Sequence, residues 1–194
     1  DLVTGVQTCA LPISVKMEGF EADDLIATYA RQAREQGAEV TIVSSDKDLM
    51  QLVTDKVQMV DTMKNRQTGP DEVVEKFGVG PDKVVEVQAL AGDSVDNVPG
   101  VPGIGVKTAA LLINEYGDLD TLLDRAEEIK QPKRRQNLIE FADLARVSRD
   151  LVRLKDDVPV ERPLDSFAVQ EQEPETLLPF LREQGFKSIV ARLE

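Results

Sequence analysis

Seven carboxylates in this 194-residue chain fall into three short groups whose spacing could do chemistry. The first is EADD, with Glu21, Asp23 and Asp24. The second is SSDKDL, with Asp46 and Asp48, and the third is GDSVDN, with Asp93 and Asp96. Each group has a plain structural use. EADD opens a helical pattern, where the dipole favours acids. Asp46 suits a turn or an N-cap, and GDSVDN suits an N-cap followed by a turn. As a set they are harder to explain as caps. Brought together, they repel one another strongly unless cations lie between them. Hard divalent ions meet that need, and Mg²⁺ or Mn²⁺ suits carboxylate-plus-water coordination. Two such ions side by side stabilise the attacking and leaving oxygens of phosphodiester cleavage. The chemistry this predicts is metal-dependent phosphodiester hydrolysis by an activated water.

Composition narrows the alternatives. The chain has no His, which excludes His-based triads, zinc–His sites and His general bases. Its one cysteine, Cys9, excludes an internal disulfide and suits a reducing cytosol. The net charge of −13, from 36 acidic and 23 basic residues, argues on its own against a nucleic-acid partner. A carboxylate cluster that binds cations inverts that argument locally. No apolar run approaches the roughly 20 residues of a membrane span.

The elements that must position these groups can be read from periodicity. Glu21–Gln36 carries apolar residues at helical spacing, with Gly37 as its stop. AEVTIVSS reads as a short buried strand, and Asp46 and Asp48 follow its carboxyl end, where open α/β sheets bind ligands. An extended backbone there would send both carboxylates the same way. VQMVDT suggests another strand. Thr68 is a candidate N-cap for a helix that starts near Pro70 and stops at Gly78, and PDKVVEVQALAGD is a further short helix. Alternating strands and helices imply an α/β unit with a mainly parallel sheet. From Asp93 to about Asp150 the pattern is helices and turns: GVKTAALLINEYG, then DLDTLLDRAEEI capped by Asp118, then one helix over PKRRQNLIEFADLARVSRDLVRL. The acidic stretch KDDVPVERPLDSFAVQEQEP suggests one or two short strands before one or two amphipathic terminal helices.

Directly after the third acidic group, VPGVPGIGVKTAALL places Gly103, Ile104 and Gly105 in a tight hairpin, with Lys107 and Thr108 in the first turn of the next helix. Backbone N–H groups at such a turn suit a phosphate oxygen, and Lys107 adds a point charge. The spacing is neither a Walker loop nor a dinucleotide fingerprint. Lys130, Lys133, Arg134 and Arg135 supply the best basic patch for a duplex backbone in an otherwise acidic chain; its bland reading is a solvated helix start.

EGFEADDLIA, SSDKDLMQLV and GDSVDNVPGVPGIGVKTAALLI occur in the order and spacing of the bacterial 5′→3′ exonuclease family, which is related to flap endonucleases and forms the amino-terminal domain of DNA polymerase I. The resemblance runs from about Val15 to Glu194. It implies an α/β, PIN-like (Rossmann-like) nuclease core over 15–92, a helix–hairpin–helix DNA-binding subdomain over 93–150, and a return to the core with terminal helices over 151–194. It implies a two-metal site of Mg²⁺, or Mn²⁺, in which Glu21, Asp23, Asp24, Asp46 and Asp48 serve one metal and Asp93 and Asp96 the other. It also implies a hairpin that holds duplex phosphate through Gly103, Ile104, Gly105, Lys107 and Thr108, with K⁺ on its carbonyls. The implied substrates are DNA 5′ flaps, nicks and RNA primers. The implied setting is a bacterial cytoplasmic monomer, continuous with polymerase domains. Two other readings stay open: a non-catalytic duplex-binding module, and a stand-alone flap endonuclease. The family's opening strand with its Asp, and its basic arch, do not occur in the sequence, so cleavage by the chain as it stands is expected to be impaired. Val3–Ile13 back-translates, codon for codon, into a string resembling a short-read sequencing adapter. Residues 1–14 are therefore expected to be non-native, with no role for Cys9.

Overall fold

The computed structural model describes residues 15–168 and 173–194. The reading of residues 1–14 as non-native lies outside these residues. The fold is mixed α/β, rich in helix, with one small sheet. Glu21–Val158 form one compact unit; the other described residues, before Glu21 and from Pro159 onward, form a second. Among the described residues no helix is long and apolar enough to cross a membrane.

The first unit is built on three strands, β1 (Val40–Val43), β2 (Val57–Asp61) and β3 (Arg66–Thr68), in that spatial order. β1 and β2 are parallel, in register from Val40 opposite Val57 to Val43 opposite Val60. The third strand departs from the expected parallel sheet. It folds back antiparallel on β2, pairing Met59 with Thr68 and Asp61 with Arg66. Thr68 therefore ends a strand, buried, and does not cap a helix. The cap falls on Gly69 because Pro70 takes the first helical position and keeps its predecessor extended. Glu72 Oε2 accepts the Gly69 N–H at 2.7 Å, securing the start of α2 (Pro70–Phe77), which Gly78 ends at φ +75°.

α1 spans Ala22–Glu35, as its periodicity predicts, and Gly37 follows at φ +84°. α3 (Val84–Ala91) is the central helix. Val84, Val87, Ala89 and Leu90 are all buried, as a mostly apolar helix packed on several sides must be. α4 (Val106–Tyr116) and α7 (Ala142–Val152) pack against it. α5 (Leu119–Asp124) is capped as predicted, with Asp118 Oδ1 accepting the Thr121 N–H at 2.8 Å. The single helix expected beyond Pro132 is two, α6 (Pro132–Glu140) and α7. They part at Phe141, whose backbone (φ −107°, ψ 20°) leaves the helical region. The break lets α6 bury Asn137 and Leu138 while α7 turns Ala145, Ser148 and Val152 inward.

Residues 152–158 then return as an irregular strap across α1 and the 3₁₀ turn Asp48–Leu52. Gln51 donates to the Val152 carbonyl and accepts from the Leu154 N–H. Asp24 accepts the Lys155 N–H at 2.9 Å. Buried Thr28 accepts the Val158 N–H at 3.1 Å, and Arg31 Nε donates to the Asp156 carbonyl at 2.8 Å.

In the second unit, Leu164–Phe167 form a 3₁₀ turn where short strands were expected, and no strand occurs among its described residues. Two terminal helices follow, α8 (Pro174–Glu183) and α9 (Lys187–Leu193), packed on each other.

Candidate metal centre and hairpin

The seven acids lie on three positioned segments of the first unit. Glu21 sits at the N-cap of α1, with Asp23 and Asp24 in its first turn. Asp46 and Asp48 follow β1 directly. Their backbone is a tight turn, not the extended segment expected: Asp46 Oδ1 accepts the Asp48 N–H at 3.0 Å, and the Asp46 N–H donates to Ser44 Oγ at 3.1 Å. So Asp46 does serve a turn, and the turn aims the group. Leu49 and Met50, both buried, fix this turn in the core; each such burial stabilises by roughly 1.5–3 kcal/mol. Asp93 and Asp96 sit in a loop closed by a reciprocal pair of backbone bonds, Asp93 N–H to Val98 O at 2.8 Å and Val98 N–H to Asp93 O at 2.7 Å. Within it Asn97 takes φ +57°, a conformation its short polar side chain tolerates. The loop crosses itself where Gly92 and Gly100 meet backbone to backbone.

Electrostatics link these segments. Burial raises the Asp23 carboxyl above its ordinary range, and Asp46, Asp48, Glu21 and Asp24 push it further. Burial also raises Asp48; Asp46 and Asp96 add to this, while the Gln88 amide and Lys47 oppose it. Lys47 places its ammonium on Asp93 Oδ2, which holds Asp93 below the usual carboxylate range. The Asp93 hydrogen bond in turn raises Lys47, and Asp48 and Asp96 add to that. Thus the groups from α1, from the turn after β1 and from the 93–98 loop share one field.

The donor set fits hard divalent cations: oxygen ligands only, two of them raised by burial and then by neighbouring carboxylates, with a lysine ammonium standing in as counter-charge. The geometry is less complete. Among the described residues no three acidic side chains converge on one point as metal ligands. Several of the acids already have partners. Lys47 occupies Asp93, the Gln88 amide occupies Asp48 Oδ1, and backbone N–H groups of Glu21 and Lys155 occupy both oxygens of Asp24.

Gln88 was not foreseen as part of the site. It lies in α3, buried, donates to Asp48, and leaves its own Oε1 buried without a partner. Its one sequence signal is an uncharged polar residue inside a mostly apolar helix. Gln88→Leu removes a positioning bond from Asp48 and an unpartnered oxygen together, two changes of opposite sign for stability. The expected result is a Mn²⁺ affinity lower by about tenfold or more, with a thermal midpoint close to that of the unaltered chain. Calorimetric titration and a melting curve check it, and an unchanged Mn²⁺ affinity would remove Gln88 from the site.

The hairpin is a turn from Val101 to Ile104, with the Ile104 N–H donating to Val101 O at 3.1 Å and Gly103 at φ +79°. Ile104 is buried, so its side chain plugs the hairpin into the core and only its backbone is left to meet a phosphate. Gly105 caps α4, leaving the first-turn amides of Val106 and Lys107 without intrahelical acceptors. Asn137, also unforeseen, donates to the Pro102 carbonyl at 2.7 Å and ties α6 to the hairpin. Lys133 and Arg134 lie four and three residues before Asn137, hence on its face of α6. Among the described residues Lys107, Lys133 and Arg134 form no ion pair, whereas Arg125, Arg146 and Arg149 elsewhere are paired with acids. Arg135 is partly spent on the Ile129 carbonyl, at 3.3 Å.

A family description of the 5′-3′ exonuclease N-terminal resolvase-like domain matches residues 4–78, and that of its C-terminal SAM-fold domain matches residues 79–175. DNA polymerase I of Rhizobium leguminosarum is 58% identical over 179 residues, covering 92% of this chain and 18% of that protein. The thermostable DNA polymerase I of Thermus thermophilus is 38% identical over 176 residues, covering 91% and 21%. The chain thus spans about a fifth of the length of these relatives. Among solved structures, the T5 5′-exonuclease with bound zinc superposes with a TM-score of 0.68 at 29% identity, over 73% of this chain and 52% of that one. The catalytic core of Rad2 with a DNA substrate superposes at 0.52 and 17% identity, over 84% and 56%, a likeness of fold alone.

Proposed function

The chain belongs to the 5′-3′ exonuclease family, and from that premise we propose that it hydrolyses phosphodiesters at DNA 5′ ends, at flaps, nicks and RNA primers, using divalent metal held by its carboxylate cluster. The observation that carries this reading is the gathering of acids from three segments into one field at the carboxyl end of β1. Glu21, Asp23, Asp24, Asp46 and Asp48 would hold one Mg²⁺, and Asp93 and Asp96 a second. When bound, such ions lower the pKa of an attacking water and neutralise charge at the phosphate. The chain's own part is to hold the acids in place: Asp46 through its turn, Asp48 through Gln88, and Asp24 through the strap. Lys47 balances Asp93 and would have to move aside for an ion.

The hairpin side would hold the duplex. The amides of Val106 and Lys107, and the cations Lys107, Lys133 and Arg134, offer phosphate contacts; K⁺ is proposed on hairpin carbonyls other than those engaged by Asn137 and Ile104. The division into core (15–92), hairpin subdomain (93–150) and return segment (151–194) belongs to the same proposal. So does the setting: a bacterial cytoplasmic monomer acting within a polymerase. Lys107→Ala is expected to weaken duplex binding whatever the base sequence, and to reduce the slope of log affinity against log salt by about one unit. Anisotropy titrations over several salt concentrations read it; a constant slope takes Lys107 out of the interface.

A second reading is a duplex-binding module without catalysis, and the Lys47–Asp93 pair favours it, since a lysine already neutralises the site. Labelled 5′-flap DNA incubated with Mg²⁺, or with EDTA, decides between them. Metal-dependent release of 5′ products is expected; duplex binding with no release would leave the second reading.

A further inference from the structure

Beside the carboxylates the sheet carries a region of opposite sign. An open cavity of about 70 Å³ lies at the carboxyl end of β1, over the buried side chains of Met50 and Met59. Its rim carries Ser44 and Ser45 from the residues after β1, Thr68 from the end of β3, Lys64 and Arg66 from the β2–β3 hairpin, and Lys76 from the last turn of α2. One acid, Asp61, shares the lining, so three cations face one anion in a protein whose net charge is −13.

The cations are not consumed by their neighbours. Lys64 reaches Asp61 at 3.5 Å and Arg66 reaches Glu75 at 3.9 Å; both cations are exposed, and such surface pairs contribute little. Among the described residues Lys76 has no ion pair; its ammonium lies 5.8 Å from the Phe77 ring. Burial, then Lys47, Arg66 and Lys64, make Lys76 a weaker base than an ordinary lysine, with Asp46 opposing. Positive charge therefore outnumbers negative charge in this lining, with Asp61 as its one acid. The hydroxyls supply donors of a size and number suited to a tetrahedral oxyanion. Ser44 also touches the acid cluster, since its Oγ accepts the Asp46 N–H.

We propose that this cavity is a phosphate site, and that the group it takes is a backbone phosphate of the strand being cut, next to the bond offered to the carboxylates. The assignment to the strand rests on the proposed nuclease activity; the affinity for phosphate does not. A subsite of this kind would hold the strand in register where the acid cluster alone would repel it, so placing cations on one side of the carboxylates and metal between them is mutually consistent.

The test has two arms. In the first, inorganic phosphate is titrated into the full chain while the backbone amide resonances of Ser44, Ser45 and Thr68 are followed by NMR. Saturable shifts are expected, and they should vanish in the double variant Arg66→Ala, Lys76→Ala, whose other resonances report that it is folded. Absence of shifts in the unaltered chain overturns the proposal. In the second, a 5′-flap duplex is bound in EDTA across a range of salt. The double variant should lose about two units of salt slope, one per contact removed. Phosphate shifts with an unchanged slope would overturn the assignment to the strand and give the site to the phosphate of a released nucleotide, which a 5′-mononucleotide titration would then confirm. Phosphate binding in a chain that binds no duplex would leave the site standing and remove the nuclease reading instead.

Discussion

Asp46→Asn is expected to lower the rate of 5′-flap cleavage by on the order of a thousandfold, about 4 kcal/mol of transition-state stabilisation, while duplex binding in EDTA stays the same or tightens. The substitution is chosen because it isolates charge from structure. Asn keeps the carbonyl oxygen that accepts the Asp48 N–H, so the turn after β1 survives. What disappears is one unit of negative charge from a field that already raises Asp23 and Asp48. Binding should not suffer, because a phosphate approaching the cluster meets less repulsion. Metal affinity should, because a hard cation loses an anionic oxygen ligand. Single-turnover cleavage, Mn²⁺ calorimetry and EDTA anisotropy give the three numbers. A variant that cleaved within about tenfold of the unaltered chain, less than 1.4 kcal/mol, would take Asp46 out of the metal set.

The second large effect is on stability. Gly100→Ala places a methyl group 2.5 Å from Gly92 N, 2.7 Å from Gly92 Cα and 2.8 Å from the Ala91 carbonyl carbon, all backbone atoms that cannot swing away. It also asks an alanine to hold φ +61°. Strain of this kind costs about 3 kcal/mol, which for a chain of this size lowers the melting midpoint by roughly 6–12 °C. The damage would centre on the 93–98 loop, because Gly100 also donates its N–H to Ser148 Oγ at 3.0 Å, docking that loop on α7. Differential scanning calorimetry checks the midpoint. Gly105→Ala serves as a control: its Cβ meets nothing within 4 Å and its φ is −99°, so a comparable loss there would show that the hairpin region tolerates no side chain for some other reason.

These two predictions also mark what could be read from the chain and what could not. Helix periods, the Gly37 and Gly78 stops and the Asp118 cap depend on neighbours a few residues away, and the structure shows each of them. The acid groups were visible by the same logic, since each is a local cluster at an element end. The misses needed contacts across long distances. Thr68 joined a strand because β2 lay ready to pair with it. Phe141 broke a helix because α6 and α7 bury different faces. Gln88 and Asn137 look like ordinary polar residues until Asp48, 40 residues away, and Pro102, 35 residues away, are placed beside them. Lys47 sits in plain sight between two candidate ligands, yet its choice of Asp93 depends on a loop 46 residues further on.

The strap over residues 152–158 has a consequence for synthesis. Its bonds to Asp24 and Thr28 span 131 and 130 residues, so the helix that opens the site waits for nearly the whole unit to be made. A ribosome adding ~5–20 residues per second needs on the order of ten seconds to cross that interval. Throughout it, nascent α1 carries its acidic first turn and its apolar face with no strap to close over them. Folding of this unit is therefore finished at its carboxyl side, and a pause in translation shortly after Val158 leaves the tunnel would help it more than one at any earlier codon.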